Sequence, residues 1–168
     1  PSNLVEDGQS SLESVQRALV RLRQATSSRP TDLSDARRVV SSLRVLAGKA
    51  PLPPGDPLWV PIADGELLAF ASAFLRRALH VARNANEVDV RLEEDVDSVR
   101  IVFVDPLALG QSELERIFDA KNIPLPGDDV MSVAVAAERL EMMGGRTEAR
   151  VLERSTEVSL VLPRRTHP

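Results

Sequence analysis

Apolar positions at the start of the chain follow the spacing of two amphipathic helices. From Ser10 onwards, apolar residues return every three or four positions, at Leu12, Val15, Leu19 and Leu22. After a break at residues 26–32 (TSSRPTD), a second stripe contains Leu33, Ala36, Val40, Leu43 and Ala47. These stripes predict two helices joined by a turn, with Asp32 as the N-cap of the second helix and Gly48 just beyond its end. Such a hairpin cannot bury both stripes by itself, so it must pack on the rest of the chain or on a second copy, and we expect a homodimer through residues 1–50.

A proline-rich segment separates this predicted hairpin from a region with a different pattern. PLPPGDP, at residues 51–57, cannot continue a helix because proline lacks the amide hydrogen, and it predicts a linker. Beyond it, apolar runs predict strands at 58–62, 87–95, 98–105, 146–153 and 156–163, and helical spacing predicts helices at 64–82, 112–119 and 130–143. This order is typical of an α+β fold, a two-layer α/β sandwich with helices on one face of a mainly antiparallel sheet. The predicted α+β domain covers residues 58–168.

The composition removes several classes of function. The chain has 168 residues, 43% hydrophobic and 27% charged, which is typical of a soluble globular protein. Aromatic residues make up only 3% and the net charge is −4, so we expect no nucleic-acid binding through stacked bases or broad phosphate contact. There is no cysteine, and His80 and His167 are the only histidines, so we expect no catalytic residue and no metal site.

Targeting signals are also missing from the printed sequence. No apolar run approaches the roughly 20 residues of a membrane-spanning helix, so we expect no membrane span. No signal-peptide pattern opens the chain. The expected location is therefore the cytoplasm.

Several phrases of the second region resemble the catalytic, ATP-binding domain of bacterial histidine kinases. SVAVAAERLEMMGGRTEARVLERSTEVSLVLP (132–163) resembles the closing helix, Gly-Gly turn and terminal hairpin of that Bergerat-fold domain. SELERIFD (112–119) resembles the family's DLERIFE segment, and the helix from Asp64 resembles the one that carries the family's N box. The helical hairpin is similar to the dimerisation and phosphoacceptor element that precedes the domain. The resemblance implies the family's α+β fold, a site for ATP and magnesium, and a role in two-component signalling.

The N box departs from the family's pattern at its functional positions. The matching stretch is AFLRRAL (73–79), which puts Arg77 where the resemblance implies the asparagine that holds magnesium. A guanidinium has only donors, so it cannot ligate a cation. Ala73 replaces the first asparagine of the box, and residues 1–50 contain no histidine that could accept a phosphoryl group.

The motif that reads adenine is only partly present. The resemblance aligns DPLALG (105–110) with a motif in which an aspartate binds the adenine amino group and glycines let the backbone approach the base. Asp105 is retained, but Leu107 and Leu109 stand at the glycine positions. Because close backbone approach depends on the absence of a Cβ, we expect these side chains to fill the space of a purine.

The phosphate-binding lid is altered as well. In GDDVMSVAVA (127–136), which corresponds to the family's GxGLGL box, Gly127 is the glycine that survives. Two aspartates follow it. At an effective dielectric of about 20, two like charges ~4 Å apart repel by roughly 4 kcal/mol, so we expect these carboxylates to oppose a polyphosphate.

These departures predict a degenerate nucleotide pocket at Asp105, Arg77 and Gly127, with no bound cofactor. The expected function is that of a non-catalytic, histidine-kinase-like signalling protein that binds a protein partner such as a response regulator or a kinase. The alternative is a divergent catalytic domain that still binds Mg-ATP through altered contacts. Two further hypotheses remain open: a phosphorelay intermediate whose histidine lies outside the printed sequence, and a receptor for a small anionic ligand at Arg77.

Overall fold

The computed structural model describes residues 14, 15, 17–19, 21, 33–119 and 132–166. Residues 14, 15, 17–19 and 21 are helical, and we call them the N-terminal helical residues. The later helices are α1 (Ala36–Leu46), α2 (Asp64–Val81), α3 (Gln111–Ile117) and α4 (Val133–Met142), with a 3-10 turn at Ala85–Glu87. The strands are β1 (Ser34–Asp35), β2 (Trp59–Val60), β3 (Asp89–Glu94), β4 (Ser98–Asp105), β5 (Arg146–Val151) and β6 (Thr156–Pro163).

The main sheet is antiparallel throughout and has the strand order β3-β4-β6-β5. Successive side chains of a strand point to opposite faces, and the alternating pattern puts Val90, Ile101 and Leu160 on the face that is buried. A separate two-stranded sheet pairs Ser34 of β1 with Val60 of β2. Helices pack on one face of the main sheet, which confirms the predicted two-layer α+β sandwich.

The central element of the helical layer is α2. All of its residues from Leu67 to Leu75 are buried, as expected for a helix that is apolar around most of its circumference. It packs on β4 and α4, and the ring of Phe74 lies 5.8 Å from the ring of Phe103, measured between centroids. This contact fixes which turn of α2 lies above the end of β4. Within the described ranges, no helix has both the length and the apolar content that crossing a membrane requires.

The start of α1 differs from the prediction. The N-cap is Asp35, whose carboxylate accepts a hydrogen bond from the backbone N–H of Arg37 at 3.0 Å. The predicted cap, Asp32, lies outside the described residues. At the other end Gly48 follows the helix with a φ of 76°, a conformation that favours glycine, so the predicted end of the helix is confirmed.

The second helix of the predicted hairpin lies within the helical layer of the sandwich. It packs on β3 and α2. The residues of α1 that belong to the common hydrophobic core are Ala36, Val39, Val40 and Leu43. Val15 and Leu19, from the N-terminal helical residues, belong to the same core. The division of the chain at 51–57 and dimerisation through residues 1–50 stay predictions, and the described core extends across that division.

The proline-rich segment is held against α1 by side chains of that helix. The guanidinium of Arg37 donates to the carbonyl of Asp56 at 3.1 Å, and that of Arg44 donates to the carbonyl of Ala50 at 2.8 Å. The backbone N–H of Leu52 donates to the hydroxyl of Ser41 at 3.2 Å. Because proline cannot satisfy a helical or sheet ladder, these contacts supply partners for a segment that has no regular structure.

The beginnings of the two last helices also refine the prediction. The helix α3 begins one residue before the predicted range 112–119, since Gly110 is the N-cap and its N–H donates to the Glu113 carboxylate at 2.8 Å. For α4 the cap is Ser132, whose hydroxyl accepts from the N–H of Val135 at 3.2 Å. The predicted start at residue 130 lies outside the described residues.

Candidate functional site

The structure brings together two of the predicted site residues, Arg77 and Asp105. Asp105 is the last residue of β4 and lies on its buried face, two positions after Phe103. Arg77 lies on α2 one turn after Phe74, so the aromatic contact between the two elements positions both side chains. The guanidinium Nη2 donates a hydrogen bond to Asp105 Oδ1. The exposed fraction is 0% for the aspartate side chain and 14% for the arginine side chain.

The surroundings of this ion pair act on Asp105 in two opposite directions. Burial raises the pKa of its carboxyl above the ordinary value, because the charged form loses its hydration. The hydrogen bond and the positive charge of Arg77 lower that pKa, but burial is the larger cause. The charged form of Asp105 is therefore stabilised by the hydrogen bond and the positive charge of Arg77.

Two polar atoms of the pair have no hydrogen-bond partner among the described residues. They are Asp105 Oδ2 and Arg77 Nε, both buried. A buried polar atom without a partner is costly, so this end of the pair retains some capacity to bind a polar group or a water molecule.

The same two residues decide whether magnesium and ATP fit here. Magnesium takes oxygen ligands, whereas Arg77 offers only donors and already occupies Oδ1 of Asp105. The described residues contain no group of three or more side chains of histidine, cysteine, aspartate or glutamate that could hold a metal ion. Residue 77 therefore lacks the magnesium ligand that the resemblance implies at this position.

Thr156 is a residue of the site that the sequence analysis missed. It is the first residue of β6, directly opposite Asp105 in the sheet, and it is fully buried. Its hydroxyl accepts from the N–H of Leu109 at 2.9 Å and donates to the carbonyl of Leu107 at 2.8 Å. It thereby holds the loop after β4 against the end of the sheet. The available signal was a hydroxyl residue at the first position of a strand whose inward-facing residues are otherwise apolar.

The remaining predicted residues are distributed around this pair or lie outside the described ranges. Leu107 is 53% exposed, and Leu109 is half-buried. Their position relative to a bound base stays a prediction. Gly127 and the two aspartates after it lie outside the described residues, so the structure does not test whether Gly127 joins Asp105 and Arg77.

Comparisons with known proteins bear on the fold. No family model matches the chain, and no curated protein matches it. Among solved structures, the chain is similar to the mycobacterial sensor histidine kinase MprB, with a TM-score of 0.52 and 22% sequence identity. The match covers 65% of this chain and 77% of that one. At this level of identity the likeness shows the fold, and it confirms that the α+β sandwich is histidine-kinase-like.

Proposed function

We propose that this chain is a non-catalytic, histidine-kinase-like signalling protein that acts by binding another protein in a bacterial two-component or related pathway. The fold supports the family-level part of this proposal. The buried ion pair between Arg77 and Asp105 supports the non-catalytic part.

The ion pair supports a non-catalytic role because its two residues stand at the positions that would bind a nucleotide and its magnesium. By the resemblance, Asp105 is the carboxylate that reads adenine, and Arg77 stands at the position of the magnesium ligand. Here the arginine donates to that carboxylate, so the pocket supplies its own cation from α2. At Oδ1 an adenine amino group would have to compete with a charge-assisted hydrogen bond, which is stronger than a neutral one, and among the described residues only Oδ2 of this carboxylate is without a partner.

Separating the pair would be costly. Breaking a buried ion pair so that one charge loses its partner costs about 3–5 kcal/mol, which lowers an equilibrium constant by roughly two to four powers of ten. A ligand that displaces Arg77 from Asp105 would have to offset this cost without a magnesium ligand at residue 77. We therefore expect no ATP binding at millimolar nucleotide.

A thermal-shift titration with ATP, with and without magnesium, tests this expectation. A ligand at 100 times its Kd stabilises the folded state by about 2.7 kcal/mol, which corresponds to a rise in Tm of roughly 5–10 °C for a chain of this size. The expected result is no saturable change in Tm up to millimolar nucleotide. A saturable, magnesium-dependent rise would overturn the non-catalytic assignment.

A second candidate is a divergent catalytic domain that binds Mg-ATP through altered contacts. The observation in its favour is Asp105 Oδ2, which is buried and has no partner among the described residues. If this candidate holds, Asp105→Asn abolishes the nucleotide-dependent rise in Tm. The control Asp97→Asn, which changes an exposed aspartate in the turn between β3 and β4, keeps it.

The partner is the other half of the proposal. We expect saturable binding to a response-regulator receiver domain or to an intact histidine kinase, and a homodimer in solution. Titration calorimetry against purified receiver domains and kinases of the source organism tests the first expectation, and light scattering tests the second. Failure to bind any of these proteins would contradict the proposed role in two-component signalling.

A further inference from the structure

The two edges of the main sheet differ in how they are covered. The strand order puts β3 at one edge and β5 at the other. On β3, which α1 covers, the carbonyl of Val90 accepts a hydrogen bond from the guanidinium of Arg44 at 2.6 Å. Among the described residues, β5 has a neighbouring strand on one side only. An uncovered edge strand presents unpaired backbone groups, which can pair with a strand of another chain.

The hairpin of β5 and β6 shows which backbone groups are free. At its end, the N–H of Leu152 donates to the carbonyl of Ser155 at 2.8 Å. Hydrogen-bonded and non-hydrogen-bonded pairs alternate along antiparallel strands, so every second residue of β5 directs its N–H and C=O toward β6. The backbone groups of Thr147, Ala149 and Val151 therefore point to the uncovered side.

The side chains of β5 divide between the two faces of the sheet. Arg146, Glu148 and Arg150 lie on the face opposite the helices, so charges of alternating sign follow this edge. The residues between them are small or apolar, with Ala149 exposed and Val151 41% exposed. A strand with this pattern complements an antiparallel copy of itself in any register that brings basic and acidic residues opposite each other.

The helix next to this edge also exposes apolar side chains. α4 packs on β5, and its residues Val135 and Met142 are 36% and 86% exposed. Together with Val151 of β5, they are large hydrophobic residues that the described part of the chain leaves open to solvent. Apolar groups beside an unpaired edge are typical of a surface that association covers.

We propose that β5 pairs with β5 of a second copy of this chain, so that two four-stranded sheets join into one. A twofold axis at Ala149 puts this residue opposite its own copy, Thr147 opposite Val151, and Glu148 opposite Arg150. The three residues with free backbone groups then all exchange hydrogen bonds with the second copy. Each Glu148 meets an Arg150, and opposite charges across antiparallel strands stabilise the pairing.

Charge complementarity favours this register over its neighbours. A shift of the second copy by two residues puts Glu148 opposite Glu148 in one direction and Arg150 opposite Arg150 in the other, and like charges directly opposite are destabilising. The first shift would also need the N–H of Gly145, which already donates to the carbonyl of Leu140 at 2.9 Å. The sequence of β5 therefore fits a second copy in one register.

This inference goes beyond the proposed function, because it adds a self-contact at the sheet edge that involves neither the candidate site nor residues 1–50. Reciprocal charge variants test it. In Glu148→Arg and in Arg150→Glu, residues 148 and 150 carry like charges, so sedimentation equilibrium should show self-association at least about tenfold weaker than that of the wild type. An equimolar mixture of the two variants should recover the association, because each contact between residues 148 and 150 then joins unlike charges. Recovery also shows that both variants are folded.

Matched controls lie on the opposite edge strand, β3. Arg91→Glu is the control for Arg150→Glu, because both arginines pair with Glu157. Glu93→Arg is the control for Glu148→Arg, because Glu93 is a carboxylate exposed on the other edge of the same sheet. Both controls should leave self-association unchanged.

A single cysteine tests the register. The chain has no cysteine of its own. In the proposed pairing the Cα of Ala149 lies about 5.5 Å from that of its copy, within the range that a disulfide spans. Ala149→Cys should therefore give a disulfide-linked dimer under mild oxidation. Thr147→Cys is the control and should not, because a stagger of about 13 Å separates residue 147 from its copy.

Several results would overturn the inference. They are a wild type that stays monomeric at high micromolar concentration, self-association that withstands both charge variants, a mixture that does not recover association, and crosslinking of Thr147→Cys in preference to Ala149→Cys. The proposed function fails separately, through a saturable rise in Tm with ATP, which does not involve β5.

Discussion

Arginine–carboxylate pairs lie on both faces of the main sheet, and their surroundings are opposite. On the helix-covered face, Arg77 and Asp105 form a pair that is almost completely removed from water. On the other face, Glu148 lies 3.0 Å from Arg100 and 2.9 Å from Arg146. The side chains of Arg100 and Glu148 are 39% and 36% exposed. The same two chemical groups are thus found in a nearly dry site and in a hydrated one.

The exposed pairs and the buried pair also differ in how they affect the stability and the candidate site. Exposed pairs gain little, because water and salt screen the attraction and long side chains lose entropy. Val102 and Val161 lie on this same face and are almost fully buried. In the buried pair, by contrast, Arg77 binds the carboxylate that the resemblance assigns to adenine. In the proposed function, the retained aspartate therefore pairs with an arginine of the protein instead of binding a nucleotide.

Removal of one arginine from each face should separate the two environments most clearly. Arg77→Leu leaves a buried carboxylate without its partner and should lower the free energy of unfolding by about 3–5 kcal/mol at pH 8. Arg100→Leu should lower it by less than about 1 kcal/mol, because both groups of that pair are in contact with water. Urea unfolding measures both values. Equal losses would show that burial does not distinguish the pairs.

The free energy of unfolding should also depend on pH differently for the two pairs. A carboxyl whose pKa is raised in the folded state favours folding below its unfolded pKa, and this contribution is lost as the pH rises through the folded pKa. Burial raises the pKa of Asp105, and Arg77→Leu removes the group that opposes this rise. As the pH rises above about 4, the variant should therefore lose stability more steeply than the wild type, by at most about 1.4 kcal/mol per pH unit. For Arg100→Leu, the free energy of unfolding should change with pH in the same way as it does for the wild type.

The loop beside the buried pair should respond to loss of its anchor. Thr156→Val keeps the shape of the side chain but removes both hydrogen bonds to the loop, so the backbone groups of Leu107 and Leu109 lose their partner. The expected loss is about 1–3 kcal/mol, with faster hydrogen exchange at the amide of Leu109. Thr147→Val, in the neighbouring edge strand β5, is the control. Unchanged exchange at Leu109 would mean that the loop is held by other contacts.

The smallest effect is expected on the exposed face. Glu148→Gln removes the charge that Arg100 and Arg146 share, and it should change the free energy of unfolding by less than about 1 kcal/mol. The difference should shrink further at 1 M salt, where the screening length is only about 3 Å. Denaturation at low and high salt measures this. A large loss in the free energy of unfolding that does not depend on salt would show that this exposed pair stabilises the protein as strongly as the buried pair does.

Much of the fold could be predicted from the chain because its patterns are local. The alternation through Val88 and Val90 and the mostly apolar run of β4 indicated neighbouring strands, and the apolar stretch from Asp64 indicated a central helix. The two-residue strand β1 could not be predicted, since Ser34 and Asp35 carry no strand pattern and depend on pairing with β2. The cap at Gly110 was missed because a glycine has no side chain that signals capping.

The candidate site was predictable only as separate residues. Arg77 and Asp105 were both chosen, yet their pairing depends on how α2 crosses β4, and no local pattern encodes that crossing. Thr156 was missed for the same reason, since its hydroxyl acts on a loop that is distant in sequence. Long-range pairing is a property of packing, and the sequence pattern constrains it only weakly.

In the proposed function, Arg77 occupies the carboxylate that the resemblance assigns to adenine. The most direct test is a crystal structure of the protein grown or soaked with a non-hydrolysable ATP analogue and magnesium at millimolar concentration. We expect that Asp105 stays bound to Arg77 and that no base lies beside it. An adenine amino group bound to the Asp105 carboxylate, with the arginine displaced, would show that a nucleotide can use this carboxylate and would overturn the proposed function.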